Sequence, residues 1–393
     1  MCHYPVIVVG GGQSGFATSF YLNRFDLDHL VLDERDEPGG GWIDSWDSLR
    51  LFSPAGTSSL PGPRFPTAAS RYPNASEVVE YLEFYRDRVQ VPVVFGSRVS
   101  RVGTPSPNMP GRFHLTCASG ESYTADHLIA ATGTRGRPFV PATAGVLRAT
   151  RPHVQQMHSS SYRNPQQLIE AGAHKVAIVG GGNSGGQLAA ELCMAPQIDA
   201  TWFTLKRPIL MPDDVDGSVL FSATAQVNAH QLAMGRRHPS GPADDRQAQP
   251  EEIQSWLRGL GEIISTPDIQ HARDAGVLFE NNRSVLSGVP KEDAAILSDS
   301  DLVLWCTGFR DDLMWLKGLP GVKLRGDSGH PRVRSALPTA SADVDGLWFM
   351  GYGNWCGKSS ATISGVSRFA RATAREIASA AGKRTARNRR GRR

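Results

Sequence analysis

The stretch Val6–Ile7–Val8–Val9–Gly10–Gly11–Gly12–Gln13–Ser14–Gly15 decides the fold. Four apolar, β-branched residues run into a glycine turn, and a segment with Ala17, Phe20 and Tyr21 on one face follows. Such a run favours a buried strand, and the later spacing favours a helix. Strand, tight turn and helix together form the G-x-G-x-x-G context that receives a dinucleotide pyrophosphate. Gly10 permits the turn, Gly12 lets backbone N–H groups approach the phosphates, and Gly15 lets the helix pack on the strand. Gly11, Gln13 and Ser14 complete this candidate cofactor loop.

The chain contains the pattern twice. Val176–Ala177–Ile178–Val179 leads into Gly180–Gly181–Gly182–Asn183–Ser184–Gly185, and a helix with Leu188, Ala189 and Leu192 on one side follows. Gly180, Gly182, Asn183, Ser184 and Gly185 are the candidate contacts of this second loop. The two copies differ where the ribose should lie. After the first, residues 29–32 form a strand ending at Asp33, about 20 residues beyond the turn, where a carboxylate receives ribose hydroxyls. Glu34 is the neighbouring candidate. An acid there repels a 2′-phosphate, so the first site suits FAD or NAD. After the second copy, residues 200–205 run into Lys206 and Arg207. Two cations at that place suit the 2′-phosphate of NADPH.

The doubled motif implies an α/β fold of two Rossmann-like dinucleotide-binding domains with small antiparallel β-meanders. Residues 91–95, 99–102, 113–116 and 122–124 read as the meander, with turn residues between them. A separate buried strand, 127–130, closes on Ala131–Thr132–Gly133, and residues 301–306 repeat the pattern into Thr307–Gly308. Thr132, Gly133 and Gly308 are therefore candidate cofactor contacts. The expected division is 1–150 for the first part of an FAD domain, 151–308 for an NADPH domain, 309–382 for the remainder of the FAD domain, and 383–393 for a disordered basic tail.

Smaller features fill in this frame. Gly39–Gly40–Gly41–Trp42 offers a second close backbone approach just past the ribose acid, with Gly40, Gly41 and Trp42 placed beside a flavin. Residues 53–73, rich in Pro, Ser and Gly, read as an irregular segment lining a cleft. Residues 77–88 read as a helix capped by Ser76. Residues 347–355 read as a strand into a glycine turn, and a helix from about residue 360 follows, its N-terminus aimed at a flavin carbonyl. Asp213, Asp214 and Asp216 cluster, but without a fourth ligand at fixed spacing they read as a turn rather than a cation site. Residues 236–251 read as a polar loop.

Composition sets the bounds. The 393 residues are 40% hydrophobic and 20% charged, values of a globular chain with room for two domains. No apolar run reaches the ~18–20 residues of a membrane span. The first strand begins within a few residues of Met1, and the expected location is the cytoplasm. Cys2, Cys117, Cys193, Cys306 and Cys356 are scattered and form no C-x-x-C pair, which disfavours a disulfide framework, a zinc site or a redox dithiol. The formal charge is +4, with much of the excess in residues 383–393. That tail reads as a solvated terminus, with nucleic acid or an anionic membrane as the alternative. The expected partners are a small-molecule substrate and O2, with no nucleic acid, membrane or metal.

Taken together, the two glycine loops, Gly39–Trp42, the two Thr-Gly turns and the order of the units resemble the class B flavoprotein monooxygenases. That group carries an F-x-G-x-x-x-H-x-x-x-Y/W fingerprint before its second loop. Here His158 and Tyr162 match its second half, while Pro152 and Val154 stand in place of Phe and Gly. Tyr162–Arg163 favours the flavin-containing monooxygenase branch. Residues 46–54, 212–220, 272–278, 305–309, 351–355 and 359–371 look closest to the flavin-binding monooxygenases of bacterial arsenic-resistance operons. The resemblance implies bound FAD and NADPH. It also implies a flavin C4a-hydroperoxide that oxygenates a soft nucleophile at nitrogen, sulfur or trivalent arsenic. It places Ser53 and Asn183 nearest the chemistry, with His158 and Tyr162 as structural or hinge elements. Phe52 stands where the flavin-containing monooxygenases carry an Asn beside the flavin. The rival readings are a flavin reductase without oxygen insertion and a non-catalytic redox sensor.

Overall fold

Strand β1 (Cys2–Val9) is buried without alternation along Val6–Ile7–Val8–Val9, the pattern of a parallel strand covered on both faces. In the computed structural model, described for residues 2–66, 71–223, 262–278, 283–324 and 330–390, β1 lies between two parallel neighbours. These are β2 (His29–Leu32) and β6 (Ser122–Ala130). Val6 and Val8 join the core on one face with Phe16 and Ala17 of α1 (Gln13–Arg24), and Ile7 and Val9 join the core on the other. Each fully buried Val or Ile contributes about 1.5–3 kcal/mol of transfer free energy.

Helix α2 (Ala75–Val89) follows the irregular segment. It starts earlier than the sequence suggests, and its N-cap is Asn74 rather than Ser76. Asn74 Oδ1 accepts the N–H of Glu77 at 2.9 Å, and the Glu77 carboxylate accepts the N–H of Asn74 at 2.9 Å, a reciprocal capping box. Strand β3 (Val93–Val94) then pairs parallel to β2, so residues 91–95 extend the main sheet and are not part of the meander. The meander itself is β4 (Val99–Gly103), β5 (Phe113–Cys117) and the start of β6, all antiparallel. Residues 122–130 form one continuous strand that leaves the meander and enters the sheet beside β1.

After α3 (Ala142–Thr150), a second sheet begins at β7 (Gln155–His158) and, following α4 (Pro165–Glu170), continues with β8 (Lys175–Val179), α5 (Asn183–Cys193) and β9 (Asp199–Thr204). Short strands β10 (Ile209–Leu210) and β11 (Glu262–Ile263) pair with each other. Then come α6 (Pro267–Asp274), β12 (Arg283–Val285), α7 (Pro290–Leu297) and β13 (Leu302–Trp305). The order β12-β9-β8-β13-β7 is parallel throughout, the doubly wound arrangement expected of the second glycine loop. Ala144 and Leu147 of α3 share a core with Val179, Phe203 and Trp305. Residues 142–150 thus pack with the second sheet, although the sequence division leaves them with the first.

The chain returns to the first sheet through β14 (Val333–Arg334), β15 (Leu337–Ser341) and β16 (Leu347–Phe349), the last parallel to β6. Helix α8 (Val366–Arg390) packs on α1 through Val366, Phe369, Ala370 and Ile377. It begins at Val366 rather than near residue 360, and it runs to Arg390, into the segment read from sequence as a disordered tail. The polar stretch 236–251 lies outside the described residues.

Candidate functional site: two glycine turns and the cavity between them

The two glycine turns are built the same way. Gly10 has φ +110° and its N–H donates to Leu32 O at 2.8 Å; Gly180 has φ +147° and its N–H donates to Phe203 O at 2.9 Å. A side chain at Gly10 would overlap the carbonyl of Ala131, and one at Gly180 the carbonyl of Cys306. Gly15 and Gly185 lie in the same way on the carbonyls of Gly10 and Gly180, where any Cβ would clash. Only glycine fits these places. The glycine turn at the end of each strand therefore lies tight against the small-residue turn of a neighbouring strand, 131–133 or 306–308.

A cavity of ≈ 830 Å³ opens on the first turn. At one end Asp33, Arg35 and Ser97–Ser100 line it; Gly10, Gly12, Gln13 and Ser14 form its floor. At the other end it reaches Leu49–Phe52, Gly351 and Ala361, and meets Asn183, Ser184 and Gln187 of α5. Gly40, Gly41, Trp42, Thr132 and Gly133 also line it. The backbones of Gly12 and Gly40 face each other: a Cβ on Gly40 would stand 2.9 Å from Gly12 Cα, and one on Gly12 3.8 Å from Gly40 Cα. That bare cradle beside the α1 N-terminus fits the pyrophosphate of FAD. Gln13 ties its walls together, its Oε1 accepting Trp42 Nε1–H at 3.0 Å and its Nε2 donating to Ala361 O at 2.6 Å. Asp33 is 7% exposed; one carboxylate oxygen accepts the N–H of Arg35 at 2.8 Å and the other that of Gly11.

Of the residues placed nearest the chemistry, Asn183 reaches the cavity and Ser53 does not. Asn183 opens α5, and its Oδ1 accepts the N–H of Ile264 at 2.9 Å. Ser53 is buried and shares a hydrogen bond with Ser58 at 2.7 Å, outside the cavity lining. The chain bends at Phe52 and Ser53, so Phe52 lines the cavity and Ser53 packs beside Ser58 instead. The N–H of Gly217 donates to Phe52 O at 2.7 Å, and the Phe221 ring lies 5.8 Å from that of Phe52. The segment after β10 therefore closes over this end.

The second turn contributes differently. Gly180, Gly182 and Gly308 do not line the cavity, although Asn183 and Ser184 do. Lys206 and Arg207 are exposed, but not at the place equivalent to Asp33. Val9 pairs with Leu32 and Val179 with Phe203, so the residue after the pair is Asp33 in one unit and Thr204 in the other. Lys206 and Arg207 lie two and three residues further on. His158 is a structural link: its Nε2 bonds Gly308 O at 3.0 Å, and its ring meets Phe309 edge-on at 5.0 Å. Tyr162 is fully buried and donates to Glu191 at 2.9 Å. The acidic cluster is a turn: Asp213 pairs with Arg273, at 2.7 and 2.9 Å, and Asp216 accepts the N–H of Ser218 at 2.8 Å. No group of three metal-ligating side chains occurs among the described residues.

One feature is invisible in the sequence. Arg35, Arg135 and Arg163, far apart along the chain, converge on Asp44 through its carboxylate and its carbonyl. Arg135 also lies over the Phe309 ring, 5.3 Å from its centroid. Burial pushes the Arg135 guanidinium below its ordinary pKa, and the neighbouring Arg163 and Arg35 push the same way against Asp44. Arg35, Asp44 and Arg135 line the cavity, giving that wall a surplus of positive charge suited to anionic cofactor groups.

A family model described as pyridine nucleotide-disulphide oxidoreductase matches residues 7–219. The flavin-containing monooxygenase from Stenotrophomonas maltophilia superposes with a TM-score of 0.73 at 32% identity, covering 97% of this chain and 100% of that one. The chain belongs to this family and is a flavin monooxygenase. It is a flavin-dependent oxidoreductase. The monooxygenase is also similar to the uncharacterized oxidoreductase CzcO of Bacillus subtilis, at 27% identity over 92% of this chain and 96% of that protein. A probable indole-3-pyruvate monooxygenase of Arabidopsis thaliana, YUCCA1, is 30% identical over 49% of this chain and 45% of its own length. All five cysteines are unpaired. No helix among the described residues is long and apolar enough to cross a membrane.

Proposed function

We propose that the flavin monooxygenase binds FAD on Gly10–Gly15, Asp33 and Gly40–Trp42, and takes hydride from NADPH held by the second glycine turn with Lys206 and Arg207. Residues 1–150, apart from α3, act with 309–382 as the FAD unit, and 151–308 with α3 as the NADPH unit, in the cytoplasm. FAD, bound there and reduced, would supply O2 activation at its C4a position, with one oxygen atom passing to a soft nucleophile at nitrogen, sulfur or trivalent arsenic and the other leaving as water. The protein's part is to bind and orient. Gly12 and Gly40 cradle the pyrophosphate, Trp42 and Gln13 wall the cavity, and Phe52 with the segment around Gly217 keeps water from its inner end.

The observation that carries this reading is the cavity itself. It spans from the ribose acid Asp33 to Asn183 and Gln187 of the opposite unit, so a flavin extended along it ends where a second nucleotide can meet it. The test is rapid mixing of the NADPH-reduced protein with oxygenated buffer, followed by product analysis with an amine, a thioether and arsenite. A transient C4a-adduct absorbance and an oxygenated product are expected. Immediate reoxidation to flavin and hydrogen peroxide with every substrate would instead favour a reductase without oxygen insertion.

A further inference from the structure

We infer that residues 44–50 form a strap that sets the second unit over the flavin cavity, and that Trp46, its anchor, is a positioning residue for hydride transfer. This rests on the assignment of NADPH to the second glycine turn. The strap starts and ends in the first unit. It follows Gly40–Trp42, and at its far end Leu49 O accepts the N–H of Ala75 at 3.1 Å. Arg50 there bridges Asn74, the N-cap of α2.

Between those ends its contacts belong to the other unit. Trp46 is 3% exposed and lies in the core of the second sheet with Tyr162, Leu188 and Trp202. Among the described residues, every other buried member of that core comes from residues 162–306, and Leu49 packs against it. The hydrogen bonds follow the same course. The Asp47 N–H donates to Arg163 O at 2.8 Å, Asn164 Nδ2 donates to the Asp47 carboxylate at 2.6 Å, and Arg163 Nη1 donates to Ser45 O at 3.2 Å. Gln187 Nε2 of α5 donates to Arg50 O at 3.4 Å. Asp44, held by Arg35 and Arg135 from the first unit, is held by Arg163 from the second.

The same stretch walls the cavity: Asp44, Ser45, Trp46, Leu49 and Arg50 line it between Trp42 and Phe52. Units within one chain shift against each other unless something ties them. Hydride passes from NADPH to FAD, leaving NADP+ and reduced flavin, only when the reacting atoms stand about 3–3.5 Å apart. Here one unit carries the donor and the other the acceptor, so their relative placement sets that distance. A buried indole offers a large, rigid contact, and Trp46 therefore moves with the second unit while its neighbours wall the flavin. The strap keeps the two in register.

Anaerobic rapid mixing of the FAD-loaded protein with a range of NADPH concentrations separates nucleotide binding from the limiting rate of flavin reduction. Trp46→Leu, which keeps the site apolar but loses the ring, should lower the limiting rate by about tenfold or more. The apparent dissociation constant for NADPH should stay within about threefold of the wild type. Trp46→Phe, which keeps a ring, should return the limiting rate to within about threefold. Asp47→Ala, an exposed change that cuts the tie to Asn164 and spares the core, should slow reduction by about threefold, which tests the strap even where Trp46→Leu loses its flavin. Flavin content and melting temperature establish that each variant is folded. A folded Trp46→Leu variant that melts lower yet reduces its flavin at the wild-type limiting rate gives Trp46 a packing role only and overturns the strap. A wild-type rate in Asp47→Ala, or an effect carried by the dissociation constant alone, overturns it as well. A wild type whose flavin NADPH does not reduce overturns the nucleotide assignment instead.

Discussion

His158 Nε2 lies 3.0 Å from Gly308 O, while its Nδ1 takes the N–H of Ser160 at 3.1 Å. The second contact makes Nδ1 the acceptor, so the proton sits on Nε2 and the ring is neutral. One side chain thus joins the end of β7 to the turn after β13. Replacing His158 by Ala leaves the Ser160 N–H without its acceptor and should cost about 1–3 kcal/mol of stability in denaturant unfolding.

The same ring makes stability depend on pH. Burial holds the His158 imidazole below its ordinary pKa, against the pull of the Gly308 carbonyl. The unfolded chain takes up the proton near pH 6.5 and the folded one only at lower pH. The contribution of His158 is therefore complete above about pH 6.5 and falls away as the pH drops through the lowered value. His29, buried and also held low, acts in the same direction. Melting temperature should be level from about pH 7 to 8 and decline below about 6.5, with a shallower decline in His158→Asn.

Gly10 and Gly12 should fail in different ways. Gly10→Ala places a methyl group on the Ala131 carbonyl at a φ of +110°, so both the fold of the turn and FAD retention should be lost. Gly12→Ala has 3.8 Å to its nearest neighbour, and φ is −79° there. The apoprotein should melt within about 1 kcal/mol of the wild type, yet lose most of its flavin, because the methyl group enters the cradle. Flavin absorbance per protein and apoprotein melting curves distinguish the two.

The parts of the fold visible in the sequence were those written in local chemistry. Val6–Val9 and Gly10 specify a buried strand and a φ-positive turn within ten residues, and the repeat at Gly180 does so again. What escaped depended on pairing across the chain. Residues 91–95 look like the other short strands around them, and only the place left beside β2 makes them parallel to it. The strand from 122 to 130 was split because its burial changes where it passes from meander to sheet. Lys206 and Arg207 stood out by charge, yet the ladder sets Thr204 opposite the turn, which no count of residues to the nearest cation reveals. Ser53 is out of reach for a similar reason: the chain bends there, and its hydroxyl pairs with Ser58 rather than entering the cavity that residues 49–52 line. The arginines around Asp44 carry no local signal at all.

Lys206 and Arg207 still matter for charge, being exposed beside Thr204 and close enough in sequence to meet a 2′-phosphate. Replacing both by Ala should raise the Michaelis constant for NADPH by about tenfold or more and that for NADH by much less. The effect should shrink as ionic strength rises, and bound FAD should be unchanged because neither residue lines its cavity. An equal rise for both nucleotides would remove these side chains from the phosphate site.

Asn183 has two duties that one variant can separate. Its Oδ1 holds the N–H of Ile264, fixing β11 against the start of α5, and the rest of the carboxamide is a donor at the inner end of the cavity. Asn183→Asp keeps the acceptor for Ile264 and so should keep stability within about 1 kcal/mol, but it replaces the donor with a charge. Asn183→Ala loses both and should also cost about 1 kcal/mol or more through the unpaired Ile264 amide. If Asn183 orients the nicotinamide or the substrate, both variants should slow NADPH-driven flavin reduction or raise the share of hydrogen peroxide formed, by about tenfold. If its task is only to hold β11, the Asp variant should turn over at the wild-type rate while the Ala variant is merely less stable. Single-turnover reduction rates beside unfolding curves decide between the two.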